Sequence, residues 1–380
     1  MATSSRNRDT ERAVSTMLAS FDGARPSAPT GGPPNRSHRH HNRDRAQRTP
    51  VQQARKGWKV MHLHSESLLS RLVTAKSRSQ LSVSVCIPAK NEEATIGRIC
   101  DVIDRRLVRA GVVDELLVLD DGSTDNTAQH AAQSGARVVG VADVLPWISP
   151  GHGKGEVLWK SLWASSGDIV IWVDGDIANF GSHFVARLLD PLLTEPGIVF
   201  AKGHYNRPVD GDPTGGGRTT ELAARPLISR FFPHLSRFPQ PLSGEFGGRR
   251  EVLEAIPFVQ GWGVDLGVLI DVASMAGPEC IAGADLGTRI HRNRPLSELG
   301  PQAMAVQSIA LRRAGVIQGV PVESAYESPS ATTETLLRPL PGGLGVEEVL
   351  VPVAERSPMG DMPGYRDRHE WELAPYQRAV

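Results

Sequence analysis

Three cysteines in 380 residues, Cys86, Cys100 and Cys280, are too few and too scattered for a disulfide framework or a zinc site, and the first two fall within apolar patterns. No uninterrupted apolar run reaches the roughly 20 residues that span a bilayer, and the amino-terminal stretch has no apolar signal core. The protein is therefore expected to be soluble and cytoplasmic. Net charge is absent as well: 42 Lys and Arg balance 42 Asp and Glu, which argues against whole-protein attraction to nucleic acid or membrane. There is no internal repeat. A Walker loop is also missing, because Pro150-Gly-His-Gly-Lys-Gly155 has glycine after its lysine and the wrong glycine spacing, so nucleoside-triphosphate hydrolysis has little support.

Large apolar residues are scarce at one end. Residues 1–64 carry an excess of Arg and His and Pro/Gly-rich patches such as Pro26–Pro34, and cannot bury enough surface to offset the entropy of ordering. They read as a disordered basic extension. The alternative is an anchor for nucleic acid or acidic lipid through Arg36, Arg39, Arg43, Arg45 and Arg48.

From residue 65 onward, helical and strand patterns alternate. A helix is expected over Ser65–Lys76, where Leu68, Leu69, Leu72 and Val73 recur at helical spacing. Leu81–Ile87 reads as a strand closed by Pro88, and Asn91 is placed to cap a helix with the apolar stripe Ile96, Ile99, Cys100 and Ile103. Glu115–Leu119 is a second strand, Asp120–Asp125 a turn, and a helix runs to about Ser134 before Gly135 and a third strand, Arg137–Val141. A helix bearing Leu158 and Leu162 leads to Ile169–Val173, an apolar run suited to a strand covered on both faces. The pattern predicts an α/β, doubly wound, mostly parallel sheet, and right-handed crossovers gather the strand-end loops Pro88–Glu93, Asp120–Ser123 and Asp174–Asp176 into one cleft.

That cleft has chemistry. Asp174 and Asp176, flanking Gly175, offer paired hard oxygens for Mg²⁺ or Mn²⁺, or are simply a solvated acidic loop. Lys154 lies in a flexible glycine loop and either brings a point charge to a phosphate or is a surface lysine. Thr214-Gly-Gly-Gly-Arg-Thr-Thr-Glu221 joins glycines, a helix start, Arg218 and hydroxyls into a second anion pocket, or is a tight turn with a solvated arginine. His291 sits among Arg289, Arg292 and Arg294. Beyond Gly315 periodicity fades: Gly319–Ser330 and Pro339–Gly345 are loop-like, Val346–Val353 is a short strand candidate, and the remainder is polar.

Pro88-Ala-Lys-Asn-Glu-Glu, Asp120-Asp-Gly-Ser-Thr-Asp, Gly153-Lys-Gly-Glu and Asp174-Gly-Asp together resemble nucleotide-sugar glycosyltransferases of the GT-A fold. With Gly216-Gly-Arg-Thr-Thr-Glu-Leu, Gln240-Pro-Leu-Ser-Gly-Glu and His291-Arg-Asn-Arg-Pro, the chain is similar, over roughly Leu68 to Gly315, to the retaining glucosyl-3-phosphoglycerate synthases. The resemblance implies transfer of glucose from UDP-glucose to 3-phosphoglycerate, with a metal, Mg²⁺ or Mn²⁺, on Asp176 and His291. It puts the nucleotide against Pro88, Ala89, Glu92, Asp121, Lys154 and Asp174, and the acceptor on Gly217, Arg218, Thr220 and Asn293, with Asp265 at the hexose. Retention is expected by a same-face displacement over the Leu242 carbonyl, with Glu245 and Asp265 weaker nucleophile candidates. The expected divisions are a nucleotide-sugar half at 65–200, an acceptor half at 201–315, and at 316–380 an arm that packs on the partner of a homodimer or is a frayed tail. Departures from the family at Lys90, Asp121, Gly175 and Asp265, the last a shortened Glu, leave a mannosyl-3-phosphoglycerate synthase, another hexosyltransferase or a non-catalytic binding module as alternatives. A polyprenyl-phosphate sugar transferase would need an amphipathic membrane patch, which is not found.

Overall fold

In the computed structural model, the described residues are 65–208, 216–290, 295–317, 333–340 and 345–369. The expectations for 1–64, for His291 and Asn293, for Thr214 and Gly215, and for Gly319–Ser330 fall outside them.

The strand candidates become β1 Val83–Ala89, β2 Glu115–Asp120, β3 Arg137–Gly140 and β4 Ile169–Trp172, followed by β5 Phe200–Asn206, β6 Phe246–Arg249, β7 Phe258–Val259 and β8 Ile281–Thr288. Seven of them form one sheet in the order β3-β2-β1-β4-β6-β5-β8. Only β6 is reversed, running antiparallel to both β4 and β5. The strand order turns back at β1 and β4, the place where open α/β sheets bind ligands beyond their strand ends. Because β6 is reversed, its amino end lies on that same edge, and this is what delivers Ser243, Gly244 and Glu245 to the cleft.

Period-two alternation explains why β4 is apolar throughout. Ile169 and Ile171 enter one core with the helix His183–Thr194, while Val170 and Trp172 enter the other with the helix Gly153–Ala164, and all four are fully buried. β1 divides likewise, Cys86 to one side and Val85 and Ile87 to the other.

Two local expectations are corrected. Pro88 does not close β1, which runs on to Ala89. The Ala89 carbonyl accepts from Asp121 N on the β2 side, so Pro88 faces the β4 side, where pairing has already ended at Cys86 and Trp172. Its missing N–H therefore leaves no ladder partner unserved. Asn91 is not a helix cap. It takes a left-handed φ of 57°, donates its N–H to Ser123 Oγ (3.0 Å) and accepts Thr124 N–H on Oδ1 (2.8 Å), tying the first strand-end loop to the second. Thr95 precedes the helix Ile96–Ile103 instead, and its hydroxyl donates to the Gly175 carbonyl at 2.6 Å, joining the third loop to the first.

The carboxy-terminal region is less polar in its packing than its sequence suggests. β9 Thr333–Pro339, not anticipated, pairs antiparallel with β10 Val346–Pro352, and β11 Glu355–Arg356 pairs with β7. Met359, Met362 and Tyr365 then enter the main core. Arg356, 4% exposed, grips Glu156 through Nε and Nη2 (2.7 and 2.9 Å) and donates to the Ser149 carbonyl (2.6 Å). Glu156 lies in the first turn of Gly153–Ala164, so this segment braces the helix that carries Lys154.

Close packing at that turn leaves room only for glycine. A Cβ at Gly155 would lie 1.8 Å from the Val259 carbonyl oxygen, a backbone atom that cannot swing aside. Gly155→Ala should therefore cost about 1–3 kcal/mol or more of stability by overpacking and depress activity through Lys154. Urea unfolding of the variant checks this; an unchanged midpoint would mean that the turn and β7 are not locked together.

Candidate active site

The loops beyond β1, β2 and β4, the helix start at Gly153 and the turn at Gly217 enclose one cavity of about 410 Å³. Pro88, Ala89, Glu92 and Asp121 line it beside Lys154, Asp174 and Asp176; Gly217, Arg218 and Thr220 line it too, as do Leu242 and Asp265. All the expected ligand-contacting residues that fall in described parts of the chain thus meet in a single space, while Glu245, a weaker nucleophile candidate, is buried behind it.

Lys154 is not on a flexible loop. Gly153, at φ 74°, starts the helix, and Lys154 Nζ is pinned between Asp174 Oδ1 (2.8 Å) and Asp265 Oδ1 (3.2 Å). Gly244 lies against this pair so closely that a Cβ would come within 2.4 Å of Nζ and 2.3 Å of Asp174 Oδ2. Burial alone would lower the lysine's pKa, but Asp174 and then Asp265 outweigh it and hold the ammonium charged.

Sequence reasoning named Arg289 only as a neighbour of His291, yet its guanidinium is the centre of the site. Its Nη2 reaches Asp174 Oδ2 (3.0 Å) and Asp176 Oδ1 (2.6 Å), while Nη1 reaches Glu245 Oε1 (3.0 Å) and donates to Tyr205 Oη (2.9 Å). The side chain is 3% exposed. Burial opposes the charge, but Glu245, Tyr205, Asp174 and Asp176 raise its pKa further than burial lowers it. The same compensation runs the other way for Asp174: burial would raise its pKa, but Lys154 and Arg289 hold it well below the usual carboxylate range. Glu245 is fully buried, and burial raises its pKa despite Arg289. For Asp265 burial likewise exceeds the lowering by Lys154. No local periodicity could have flagged Arg289, because its partners are brought in by β4, β5 and β6.

After β8, the Ile290 carbonyl accepts from Ala178 N (3.0 Å), and Asn179 Oδ1 accepts from Ile290 N (2.8 Å), so the chain at Ile290 is fastened just past Asp176. Among the described residues no group of three or more His, Cys, Asp or Glu forms a metal cluster. The donor chemistry nonetheless suits a divalent cation that relies on one or two protein ligands and on substrate phosphates. The Asp176 side chain is 33% exposed at the cavity wall. Lys154 and Arg289 are both already engaged by carboxylates at this end of the cavity, so a divalent cation would supply the added positive charge that an incoming diphosphate needs there.

A third basic group has its charge opposed by burial. Lys202, on β5, is 1% exposed, donates to the Asp265 carbonyl at 2.9 Å and lies 4.3 Å from the Phe246 ring centroid. Burial pushes its pKa from 10.5 down to about 7. Between those values the unfolded chain holds a proton that the native state lacks, so stability rises with pH across this window and is lost as pH falls through about 7. Lys202→Met should gain most over wild type at about pH 6.5 and see that gain shrink towards pH 9.5. Urea unfolding at both pH values tests it, and a pH-independent gap would mean that Lys202 titrates as an ordinary lysine.

The model of glycosyl transferase family 2 matches residues 84–256. The glucosyl-3-phosphoglycerate synthase of Petrotoga mobilis is 40% identical over 313 residues, covering 80% of this chain and 94% of its own. That of Mycolicibacterium smegmatis is 48% identical over 239 residues, covering 62% and 78%. Among solved structures, glucosyl-3-phosphoglycerate synthase from Mycobacterium tuberculosis in complex with Mn²⁺, UDP-glucose and phosphoglyceric acid superposes with a TM-score of 0.67 at 41% identity, over 80% of this chain and 96% of that one. The same enzyme with Mg²⁺ and UDP also gives 0.67 at 41% identity, over 80% and 97%. The GT-A sheet, the cavity at its switch point and these relatives agree: the chain belongs to the glucosyl-3-phosphoglycerate synthase family of glycosyltransferases.

Proposed function

We propose that the cavity moves glucose from UDP-glucose to 3-phosphoglycerate with retention at the anomeric carbon, releasing UDP. The observation that carries this reading is that one cavity joins the residues expected to hold the nucleotide, Pro88, Ala89, Glu92, Asp121 and Asp174, to the turn expected to hold the acceptor, Gly217, Arg218 and Thr220. The Mn²⁺ or Mg²⁺, UDP-glucose and phosphoglyceric acid bound by the relative support it.

Asp176 would hold the divalent cation together with His291, and Asn293 would assist the acceptor; both of the latter lie outside the described residues. When bound, the cation supplies positive charge to the departing diphosphate. Lys154 would add a fixed charge nearby, Arg218 would orient the acceptor, and the Leu242 carbonyl would lie beneath the sugar. Glu245 is fully buried behind Arg289, and Asp265 is engaged by Lys154, which disfavours both as nucleophiles. A same-face displacement therefore fits best. The acceptor oxygen bonds to the anomeric carbon as the carbon–diphosphate bond breaks, and the acceptor's proton passes to a diphosphate oxygen. Catalysis is then mainly positioning and electrostatics.

Purified protein with Mg²⁺ or Mn²⁺, 3-phosphoglycerate and a panel of UDP- and GDP-sugars should release nucleoside diphosphate with UDP-glucose and give a product of the expected mass. Turnover with GDP-mannose alone would reassign the sugar, and acceptor-independent release would sink the transferase reading. Asp176→Ala should cut transfer about a hundredfold or more, and a chelator should abolish it until metal is restored.

The same reading includes a homodimer in the cytoplasm. No helix among the described residues is long and apolar enough to cross a membrane. The outer face of the β9–β10 hairpin presents Leu337, Val346 and Leu350 at 59–63% exposure around the exposed Glu348, which is paired with Leu337, a largely apolar patch suited to a second copy. Leu337→Glu combined with Leu350→Glu should yield a monomer in sedimentation, and an unchanged mass would remove this face from the interface.

A further inference from the structure

Arg207, two residues beyond Tyr205 near the end of β5, lines the cavity beside Gly217, Arg218 and Thr219. Its carbonyl accepts from Gly216 N at 3.0 Å, and a Cβ on Gly216 would lie 2.4 Å from Arg207 Cβ, so the arginine is pressed against the phosphate-binding turn. Its guanidinium stacks on Tyr205, with Cζ 4.9 Å from the ring centroid, and Nη2 donates to Tyr205 Oη at 2.6 Å. Nε is buried and, among the described residues, has no hydrogen-bond partner.

Among the described residues no carboxylate pairs with Arg207. Arg250 also bonds a tyrosine hydroxyl, Tyr365 Oη, without a carboxylate, but it lies outside the cavity and its other donors are served by the Gly167 and Leu162 carbonyls and Ser165 Oγ, whereas Arg207 lines the cavity with a buried Nε that has no hydrogen-bond partner among the described residues. A half-buried guanidinium held by a neutral phenol and facing a cavity keeps fork donors for an anion that arrives from solution. Tyr205, 4% exposed, fixes the fork's direction without neutralising it.

An acceptor with a phosphate and a carboxylate brings two anionic groups, and the Gly217–Thr220 turn with Arg218 accounts for one. We infer that Arg207 binds the acceptor's second anionic group, the carboxylate, and so selects a phosphorylated hydroxy acid over a phosphorylated alcohol. This rests on the proposed identity of the acceptor. Tyr205 is the positioning residue, and because its hydroxyl also accepts from Arg289 at 2.9 Å, the two arginines are held in a fixed relation.

Calorimetric titration of the UDP- and Mg²⁺-saturated protein with 3-phosphoglycerate and with glycerol 3-phosphate, which lacks the carboxylate, separates the possibilities. Arg207→Met should weaken 3-phosphoglycerate about 10–150-fold, the range for losing a charge-assisted hydrogen bond, and glycerol 3-phosphate less than about threefold. Arg207→Lys, which keeps the charge without the fork, should recover part of the loss. Equal losses for both compounds, or none for either, would overturn the assignment while leaving the acceptor reading standing. Failure of the wild-type protein to bind either compound would overturn both. UDP affinity, measured by titrating UDP into the Mg²⁺-loaded protein without acceptor, should be unchanged, and its collapse would show a merely structural role.

Discussion

The guanidinium of Arg289 is the constraint on which the rest of the site depends. It meets Asp174, Asp176 and Glu245 at once, three carboxylates brought to it by β4 and by the amino end of β6. Like charges so close cannot all stay ionised without a shared cation, and a planar fork with several donors serves them in a way that an ammonium cannot. The arrangement also explains the one reversed strand. Had β6 run parallel, its carboxyl end would reach this edge, and Glu245 would lie at the opposite one.

A second constraint is mechanical. Lys154 is held in register by contacts that begin far from it: Arg356 grips Glu156, Gln260 N donates to the Ala354 carbonyl, and Gly261 N donates to the His152 carbonyl. The carboxy-terminal segment is thus part of the catalytic scaffold, whatever its hairpin does with a partner. Because Arg356 and Glu156 are both almost wholly buried, removing either would strand the other's charge, a far larger penalty than losing a surface pair.

These two constraints mark what was legible in the sequence. The β-α-β alternation, the apolar run of β4 and the carboxylates at its end could be read locally, because each is set by period-two burial or by a turn within a few residues. The convergence of Pro88, Asp121, Lys154 and Asp174 followed from handedness and strand order. Arg289 could not be read in this way: its role exists only after β8 has paired with β5 on the far side of the sheet. Nor could the tail, where Met359, Met362 and Tyr365 are single anchors without periodicity, nor Asn91, whose left-handed turn serves a neighbouring loop rather than the next helix.

The electrostatics of the cavity favour an ordered sequence of binding. Before substrates arrive, Lys154 and Arg289 are already engaged by Asp174, Asp176, Glu245 and Asp265, and burial depresses the pKa of Lys202, which leaves the donor end without a free cation among the described residues. A diphosphate alone would meet an unfavourable field there, whereas one arriving with a divalent cation would not. The end proposed for the acceptor is different: Arg207 and Arg218 line it, and Arg207 has only a phenol as its side-chain partner among the described residues. On the proposed assignment, the donor end would acquire its countercharge with its ligand, while the acceptor end would carry it in the fold. This asymmetry suits a transfer in which the developing negative charge appears on the diphosphate and the incoming group is already anionic.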